Sequence, residues 1–328
     1  MQVVHSARYH IDIGPHVFPT QKYRLVHDRL KEAAVIRPGD VVEPQPAAWD
    51  ELARVHTGEY LTKIREGALS REELAQLQLS WSPEMVEGFR LMTGGTIDAA
   101  CLACDVPRHD GGTQSMQRTD MSGASSTSGF TVVCHIGGGL HHAFANHGEG
   151  FCPFNDVAVA ARVLQARGIE RIAIVDLDVH HGNGTAFIFE RDPLVFTFSM
   201  HQQLNYPEFK PRGTLDIGLP DGVLDRTFLS ELDGALPSVM AARPQCVFYL
   251  AGADPYEDDQ LGGLRLTKEG LRLRDQKVIS AVARAGLPLV IVLAGGYARR
   301  LEDTVAIHAA TIEEARNAAT KTRNHEED

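Results

Sequence analysis

The chain has 328 residues, of which 43% are hydrophobic, so it is long enough to bury one large core. Its 43 acidic and 32 basic residues give a net charge of −11, which argues against a nucleic-acid partner and is compatible with a cationic substrate. The amino terminus lacks the pattern of a signal peptide and no segment approaches the roughly 18 apolar residues of a membrane span, so we expect a cytoplasmic protein.

The first predicted element is a helix over residues 96–104, which carries Cys101 and Cys104 on one face. A C-x-x-C pair also suits a zinc or redox site, but no second Cys/His pair lies at zinc-site spacing. Five cysteines cannot form a closed set of disulfides, and their apolar surroundings are typical of reduced, buried thiols. We therefore interpret the pair as core residues.

Two polar segments define the expected domain organisation. Residues 107–129 are rich in Gly, Ser and polar side chains and bury little apolar surface, which predicts a mobile surface insertion. Residues 311–328 predict a polar helix that gives way to a charged tail. We therefore expect one catalytic domain over residues 1–310, with the insertion inside it.

After the insertion, apolar runs alternate with an amphipathic helix at residues 157–167. This alternation predicts a parallel sheet with helices on both faces. The predicted strands cover residues 131–136, 172–177, 194–199, 246–250 and 289–293. Polar side chains follow four of these strands, at the edge where such sheets place their ligands.

The strongest polar pattern lies at the end of the strand at 172–177, where Asp176, Asp178, His180 and His181 are close together. Asp178 and His180 are two residues apart, so in extended backbone they project to the same side. Buried charges must be paired or bound to metal. The pattern therefore favours a metal or catalytic site over a solvated turn.

Three other strand ends carry weaker patterns, each with an ordinary structural interpretation. Three glycines after the first strand lead to His141 and His142, which by themselves are also typical of core or surface histidines. Asp254 follows the strand at 246–250 and by itself is typical of an acidic turn. Tyr297 follows the last strand and by itself is typical of an aromatic cap on the sheet.

In combination, these patterns resemble the zinc-dependent histone deacetylase family, within the arginase and deacetylase superfamily, over residues 17–307. The motifs, in the family's order, are Gly137-Gly138-Gly139-Leu140-His141-His142-Ala143, Asp176-x-Asp178-x-His180-His181-Gly182, Gly252-x-Asp254-x4-Asp259-x-Leu261-Gly262 and Gly295-Gly296-Tyr297. The segment 12–19 is most similar to bacterial and class IV members. The resemblance implies the α/β arginase-deacetylase fold, with a single parallel sheet.

The resemblance also implies cofactors. Asp178, His180 and Asp254 would hold one Zn²⁺ and leave positions for water and the substrate carbonyl. Two carboxylates and one imidazole also suit Fe²⁺ and other divalent metals. Asp176 resembles the residue that hydrogen-bonds the first histidine of the tandem pair, and together with Ser199 and backbone carbonyls it implies a K⁺ site.

Catalytic roles follow from the same resemblance. His142 would act as general base, His141 would give electrostatic or acid assistance, and Tyr297 would donate a hydrogen bond to the tetrahedral oxyanion. Asn183 stands where class I enzymes place an aspartate beside the second histidine. A neutral partner is expected to leave His142 less basic.

Two aromatic residues are expected to form the substrate channel. Phe151 resembles one wall of the channel that holds the aliphatic lysine stem, and Tyr206, before Pro207, is our choice for the opposite wall. Gly150 and Gly295 would lie beside the channel. Both aromatics also fit an ordinary place in the core.

These observations predict a metal-dependent amidohydrolase that converts the N-ε-acyl-lysine of a protein or peptide to lysine and a carboxylate. A small acylated amine is also a possible substrate of this chemistry. Two alternatives stay open: an acetylpolyamine deacetylase, and a catalytically inactive protein that binds acyl-lysine. Arginase is disfavoured because its two-manganese site needs further Asp and His ligands. Acyl-chain length is left open by the sequence.

Overall fold

The computed structural model of the chain describes residues 1–109 and 129–326, so most of the insertion expected at 107–129 lies outside the described residues. In this part of the chain there are eight strands: β1 (Gln2–Val4), β2 (Val41–Val42), β3 (Val132–His135), β4 (Ile172–Asp176), β5 (Val195–Gln202), β6 (Leu215–Leu219), β7 (Cys246–Leu250) and β8 (Leu289–Val292). They form one sheet in the order β2-β1-β3-β8-β7-β4-β5-β6. Every neighbouring pair is parallel, as predicted.

The helices of the same residues are α1 (Lys22–Glu32), α2 (Trp49–Leu52), α3 (Gly58–Glu66), α4 (Arg71–Leu77), α5 (Pro83–Ala103), α6 (Asp156–Gln165), α7 (Asn183–Phe189), α8 (Asp225–Ala241), α9 (Lys268–Arg284) and α10 (Leu301–Glu326). Helices cover both faces of the sheet. On one side α5 packs against β1, β3, β8 and α6, and on the other α10 contacts β3 and packs between α1 and α9. None of these helices is both long enough and apolar enough to cross a membrane.

The five predicted strands are confirmed as β3, β4, β5, β7 and β8, each of which contains a largely apolar run. Strands β3, β4, β7 and β8 are buried at every position, as expected for a sheet covered on both faces. Strands β1, β2 and β6 were not predicted. The first two have three residues or fewer, and β6 alternates exposed and partly buried positions at the edge of the sheet, so none presents a long apolar run.

Two helices differ in extent from the prediction. Helix α5 begins at Pro83 rather than near residue 96, because the Ser82 side chain caps it by accepting from the Met85 amide. It carries Cys101 into the core, and all five cysteines are free. Helix α10 runs through residue 310, with Ile312 and Ala315 buried. The division of the chain at residue 310 stays a prediction.

Candidate metal centre and active site

The four strands that precede the predicted site residues are neighbours in the sheet, in the order β3, β8, β7 and β4. Because they are parallel, their carboxyl ends lie at one edge. The side chains that follow are His141 and His142 after β3, Tyr297 after β8, Asp254 after β7, and Asp178 and His180 after β4. The sheet thereby brings four segments that are distant in sequence into one site.

Asp178, His180 and Asp254 form a buried cluster whose potential ligand atoms all lie within 4.8 Å of one another. Nδ1 of His180 is 3.1 Å from Oδ1 of Asp178 and 3.4 Å from Oδ2 of Asp254. Backbone groups fix the two carboxylates. Oδ2 of Asp178 accepts from the Gly295 amide at 2.8 Å, and Oδ1 of Asp254 accepts from the Val179 amide at 2.9 Å.

This cluster fits a divalent cation. Oδ2 of Asp254 is buried and accepts no hydrogen bond from the residues that the structure describes. A Cβ atom on Gly295 would lie 1.9 Å from that oxygen, so the close approach requires glycine there. Burial and the neighbouring Asp178 charge raise the pKa of Asp254 to about 7. A cation held between the two carboxylates would offset this repulsion.

The protonation of His180 is linked to metal binding. Burial alone would lower the pKa of His180, but the adjacent carboxylates of Asp178 and Asp254 raise it to about 10. Imidazole binds a metal in its neutral form, so a cation must displace this proton.

The tandem histidines face each other next to the cluster. Their Nε2 atoms are 3.0 Å apart. Nδ1 of His141 donates to Oδ2 of Asp176 at 2.7 Å, and Nδ1 of His142 lies 2.8 Å from Oδ1 of Asn183. Each ring is therefore held at its far nitrogen, with its near nitrogen in the site.

The surroundings shift the pKa values of the two histidines in opposite directions. Burial opposes charge on His141, but Asp176 and Asp178 raise its pKa to about 9. Burial and the charges of His141 and His180 hold the pKa of His142 well below its usual range. His142 is thus the neutral member, which can accept a proton, and His141 is the cationic one.

Tyr297 has the properties of a hydrogen-bond donor. Burial and the charges of Asp254 and Asp178 raise its pKa well above the usual value, so the hydroxyl stays protonated. Its backbone amide donates to Oδ2 of Asp259 at 2.7 Å, which fixes the start of the loop. The ring packs edge-to-face against Phe151, with centroids 6.1 Å apart.

Both predicted channel aromatics line one pocket of about 190 Å³. Phe151 packs near Tyr297, and the Tyr206 ring lies 5.0 Å from that of His142. The other lining residues are Gln78, His142, Gly150, His180, Asn205, Leu261 and Tyr297. Gly150 adopts a positive φ of 52°, and a Cβ there would lie 2.8 Å from His142, so glycine is required at this turn.

Asp176 and Ser199, the residues expected at a K⁺ site, are register partners in β4 and β5. Both are buried. Oδ1 of Asp176 accepts from the Asp178 amide at 3.2 Å, and Oγ of Ser199 lies 3.1 Å from Nδ1 of His201. The sheet therefore sets these two oxygen-bearing residues side by side, and Asp176 contacts the backbone of Asp178.

Comparison with known protein families agrees with this site. A family model described as the histone deacetylase domain matches residues 16–312, which is most of the chain. The chain belongs to the histone deacetylase family. The family assignment supports deacetylase hydrolase chemistry and confirms the resemblance seen in the sequence.

Relatives in this family span most of the chain. It is 40% identical over 306 residues to an uncharacterized protein of Picosynechococcus, covering 92% of this chain and 93% of that protein. It is 28% identical to histone deacetylase 2 of Arabidopsis thaliana, covering 93% and 77%. The crystal structure of a histone deacetylase homologue from Aquifex aeolicus has the same fold, with a TM-score of 0.77, 22% identity and coverage of 96% and 83%.

Two buried cationic side chains near the Asp-His-Asp cluster were not predicted from the sequence. The Lys22 ammonium is fully buried and donates to the Ala294 carbonyl at 2.8 Å. Burial lowers its pKa to about 8, against the opposing effect of the site carboxylates. Arg274 is also fully buried and donates to the carbonyls of Leu177 and Gly252, which joins the segments after β4 and β7. Neither residue lies in a motif that marks it in the sequence.

The role of Asp156 in holding the loop before His141 was also not predicted from the sequence. Oδ2 and Oδ1 of Asp156 accept from the amides of Gly139 and Leu140, at 3.0 and 2.7 Å, which fixes the loop before His141. Gly139 has φ of 83°, a left-handed conformation that favours glycine. Asp156 lies five residues after Phe151 in the sequence, which is the one local signal for it.

Proposed function

We propose that this protein is a zinc-dependent deacylase that hydrolyses the amide of N-ε-acyl-lysine to free lysine and a carboxylate. The observation that supports this most strongly is that His180 of the buried Asp-His-Asp cluster, His142 of the tandem pair and the buried Tyr297 line one pocket, which Phe151 and Tyr206 also line. Acyl transfer to water needs these three elements: an electrophilic centre, a base and an oxyanion donor.

Asp178, His180 and Asp254 would hold the metal. When bound there, Zn²⁺ or Fe²⁺ supplies a Lewis acid for the amide carbonyl and for the attacking water. The role of this chain's ligands is to hold the cation in a buried place, since all three side chains are buried and backbone amides orient both carboxylates. We extend the proposal to a K⁺ ion near Asp176 and Ser199.

The proton transfers are assigned to the histidines. Neutral His142 accepts the proton of the attacking water at Nε2, because its Nδ1 is engaged with Asn183. His141, cationic beside Asp176, stabilises negative charge that develops next to it. The protonated Tyr297 hydroxyl donates a hydrogen bond to the oxyanion, and this bond strengthens as negative charge develops on the oxygen.

Phe151 and Tyr206 would hold the substrate stem. An acyl-lysine presents four methylene groups, and both rings line one pocket of about 190 Å³. Two aromatic walls exclude water from the stem and align the amide with the histidines.

The proposal is tested with the purified, zinc-loaded protein and a panel of acetyl-lysine peptides, longer acyl-lysine peptides and acetylpolyamines. We expect the highest kcat/KM on an acyl-lysine peptide, with Tyr297→Phe as the inactive control. Higher kcat/KM on acetylpolyamines would replace lysine by a polyamine as the substrate. Binding of the peptides without turnover of any compound would show a catalytically inactive acyl-lysine-binding protein.

A further inference from the structure

Glu149 lies directly behind the proposed general base, at the junction of the catalytic and channel residues. Its side chain is largely buried and receives hydrogen bonds at both oxygens. Oε1 accepts from Nδ2 of Asn183 at 2.7 Å and from the Tyr206 hydroxyl at 3.1 Å. Oε2 accepts from Nε2 of Gln76 at 2.9 Å. One carboxylate therefore contacts both the partner of His142 and a wall of the channel.

The directions of these hydrogen bonds leave one arrangement of protons. A carboxylate only accepts, so the Asn183 amide group must direct its NH₂ towards Glu149. Its carbonyl oxygen then faces His142 and only accepts, so Nδ1 of His142 must carry the hydrogen. Nε2 of His142 is left with its lone pair, which faces the site and the Nε2–H of cationic His141 at 3.0 Å. Asn183 by itself does not decide this, because its amide could turn over and favour the opposite tautomer.

The charge of Glu149 is held by its neighbours. Burial opposes the charged form, but the nearby His147 ring and hydrogen bonds from Asn183, Gln76 and Tyr206 keep the pKa of Glu149 below its usual range. The backbone also fixes its position. Glu149 and Cys152 exchange amide-to-carbonyl hydrogen bonds of 3.2 and 2.9 Å, which close the turn that carries Phe151.

We propose that Glu149 is a positioning residue of the deacylase, which fixes the reactive tautomer of His142 through Asn183 and ties the Tyr206 wall to the same carboxylate. This inference rests on the proposed function. It also adds to the expectation from the sequence, which identified Asn183 only as a neutral partner of His142. In this chain the negative charge lies one hydrogen bond further from the histidine.

The alternative is that Glu149 only stabilises the fold, for example through His147, whose Nε2 lies 3.4 Å from Oε2. A stabilising residue affects the melting temperature in its variants, but it does not fix the tautomer of His142. It also does not make the effect of a change at Asn183 depend on the charge at residue 149. Two experiments use these differences.

The first experiment exchanges the positions of carboxylate and amide. Asn183→Asp places a second carboxylate against Glu149, and at about pH 8 the repulsion should lower kcat roughly 10- to 100-fold. Adding Glu149→Gln restores one carboxylate and one amide, so the double variant should regain at least about tenfold of that loss. The matched control is Asn183→Asp with Glu51→Gln, because Glu51 is also buried but bonds to Arg108 and the Ala48 amide instead. This control should show no recovery.

The second experiment observes the tautomer directly, without turnover. Two-dimensional NMR of protein labelled with ¹⁵N-histidine distinguishes the two ring nitrogens, and the His142 signals are assigned by their loss in His142→Ala. Wild type should show the single Nδ1–H tautomer of neutral His142. Glu149→Leu should show a mixture, because the Asn183 NH₂ group then loses its only hydrogen-bond acceptor among the described residues. Tyr206→Phe, which removes only the other hydrogen bond to Oε1, should keep the single tautomer.

The outcomes separate this inference from the proposed function. No recovery in the exchanged double variant, with wild type active and all variants folded, would overturn the role of Glu149. A single Nδ1–H tautomer in folded Glu149→Leu would overturn it as well. A wild type that deacylates no compound in the panel refutes the proposed function, whereas the tautomer measurement still decides whether Glu149 orients His142.

Discussion

Replacing Asp254 by Asn tests the metal centre with little disturbance of the fold. Asp254 is fully buried, and its Oδ1 accepts from the Val179 amide at 2.9 Å. The carbonyl oxygen of Asn can keep this bond, so the change replaces only Oδ2, which faces His180, by an NH₂ group. An NH₂ group at that position cannot bind a cation. We therefore expect Asp254→Asn to fold and to lose its metal.

The expected size follows from mass action. A metal at about 1,000 times its Kd stabilises the folded state by about 4 kcal/mol. A chain of 328 residues has an unfolding entropy of about 0.7 kcal/mol/K. Metal should therefore raise the Tm of wild type by about 6 °C and that of Asp254→Asn by about 0 °C.

Without metal, the stability difference between the two proteins should change in favour of Asp254→Asn as the pH rises. The pKa of Asp254 is raised to about 7 in the folded protein, from about 4 in the unfolded chain. A carboxyl whose folded pKa is raised stabilises the fold at low pH and loses that contribution as the pH rises through about 7. Asn does not titrate, so metal-free Asp254→Asn should gain stability relative to metal-free wild type as the pH rises from about 4 to about 8.

The assay is thermal unfolding followed by circular dichroism, with and without Zn²⁺, together with elemental analysis of the purified proteins. Wild type should contain about one metal per chain and the variant none. Stoichiometric metal in Asp254→Asn, with the same rise in Tm as wild type, would remove Asp254 from the ligand set. If metal-free Asp254→Asn gained no stability relative to metal-free wild type between about pH 4 and about pH 8, the electrostatic reasoning would be refuted.

Three further predictions concern catalysis. Tyr297→Phe should retain metal and substrate affinity but lose roughly 100-fold or more in kcat, because the hydroxyl acts on the developing oxyanion; near-normal turnover would refute that role. A hydroxamate on a linear aliphatic linker should inhibit, whereas an ester of the same shape should not, and equal inhibition by both would argue against the metal as anchor. His142→Ala should lose activity and the rise of kcat/KM with pH while keeping its metal. His135→Ala should mainly lower Tm, because His135 is buried between Tyr9 and Thr96, so equal losses of kcat in both variants would contradict the assignment of the base.

Much of the fold was determined locally by the sequence. The buried strands are continuous apolar runs such as β4, and their alternation with helices indicated a parallel sheet. Asp178 and His180 are also predictable as a pair, because two residues in extended backbone project to one side. The short strands β1 and β2 could not be predicted, because pairing with β3 and with each other, rather than their own composition, defines them.

The order of the strands was decided only in the tertiary structure, and it is this order that assembles the site. Strand β7 lies between β4 and β8, which places Asp254 against Asp178 although 76 residues separate them in the chain. Residues that support the site from far away have no local signal. Lys22 reaches the carbonyl of Ala294, and Glu149 contacts Asn183 and Gln76, all distant in sequence. A single buried polar residue can be identified only when its partners are known, because a buried charge is stable only where the folded chain pairs it.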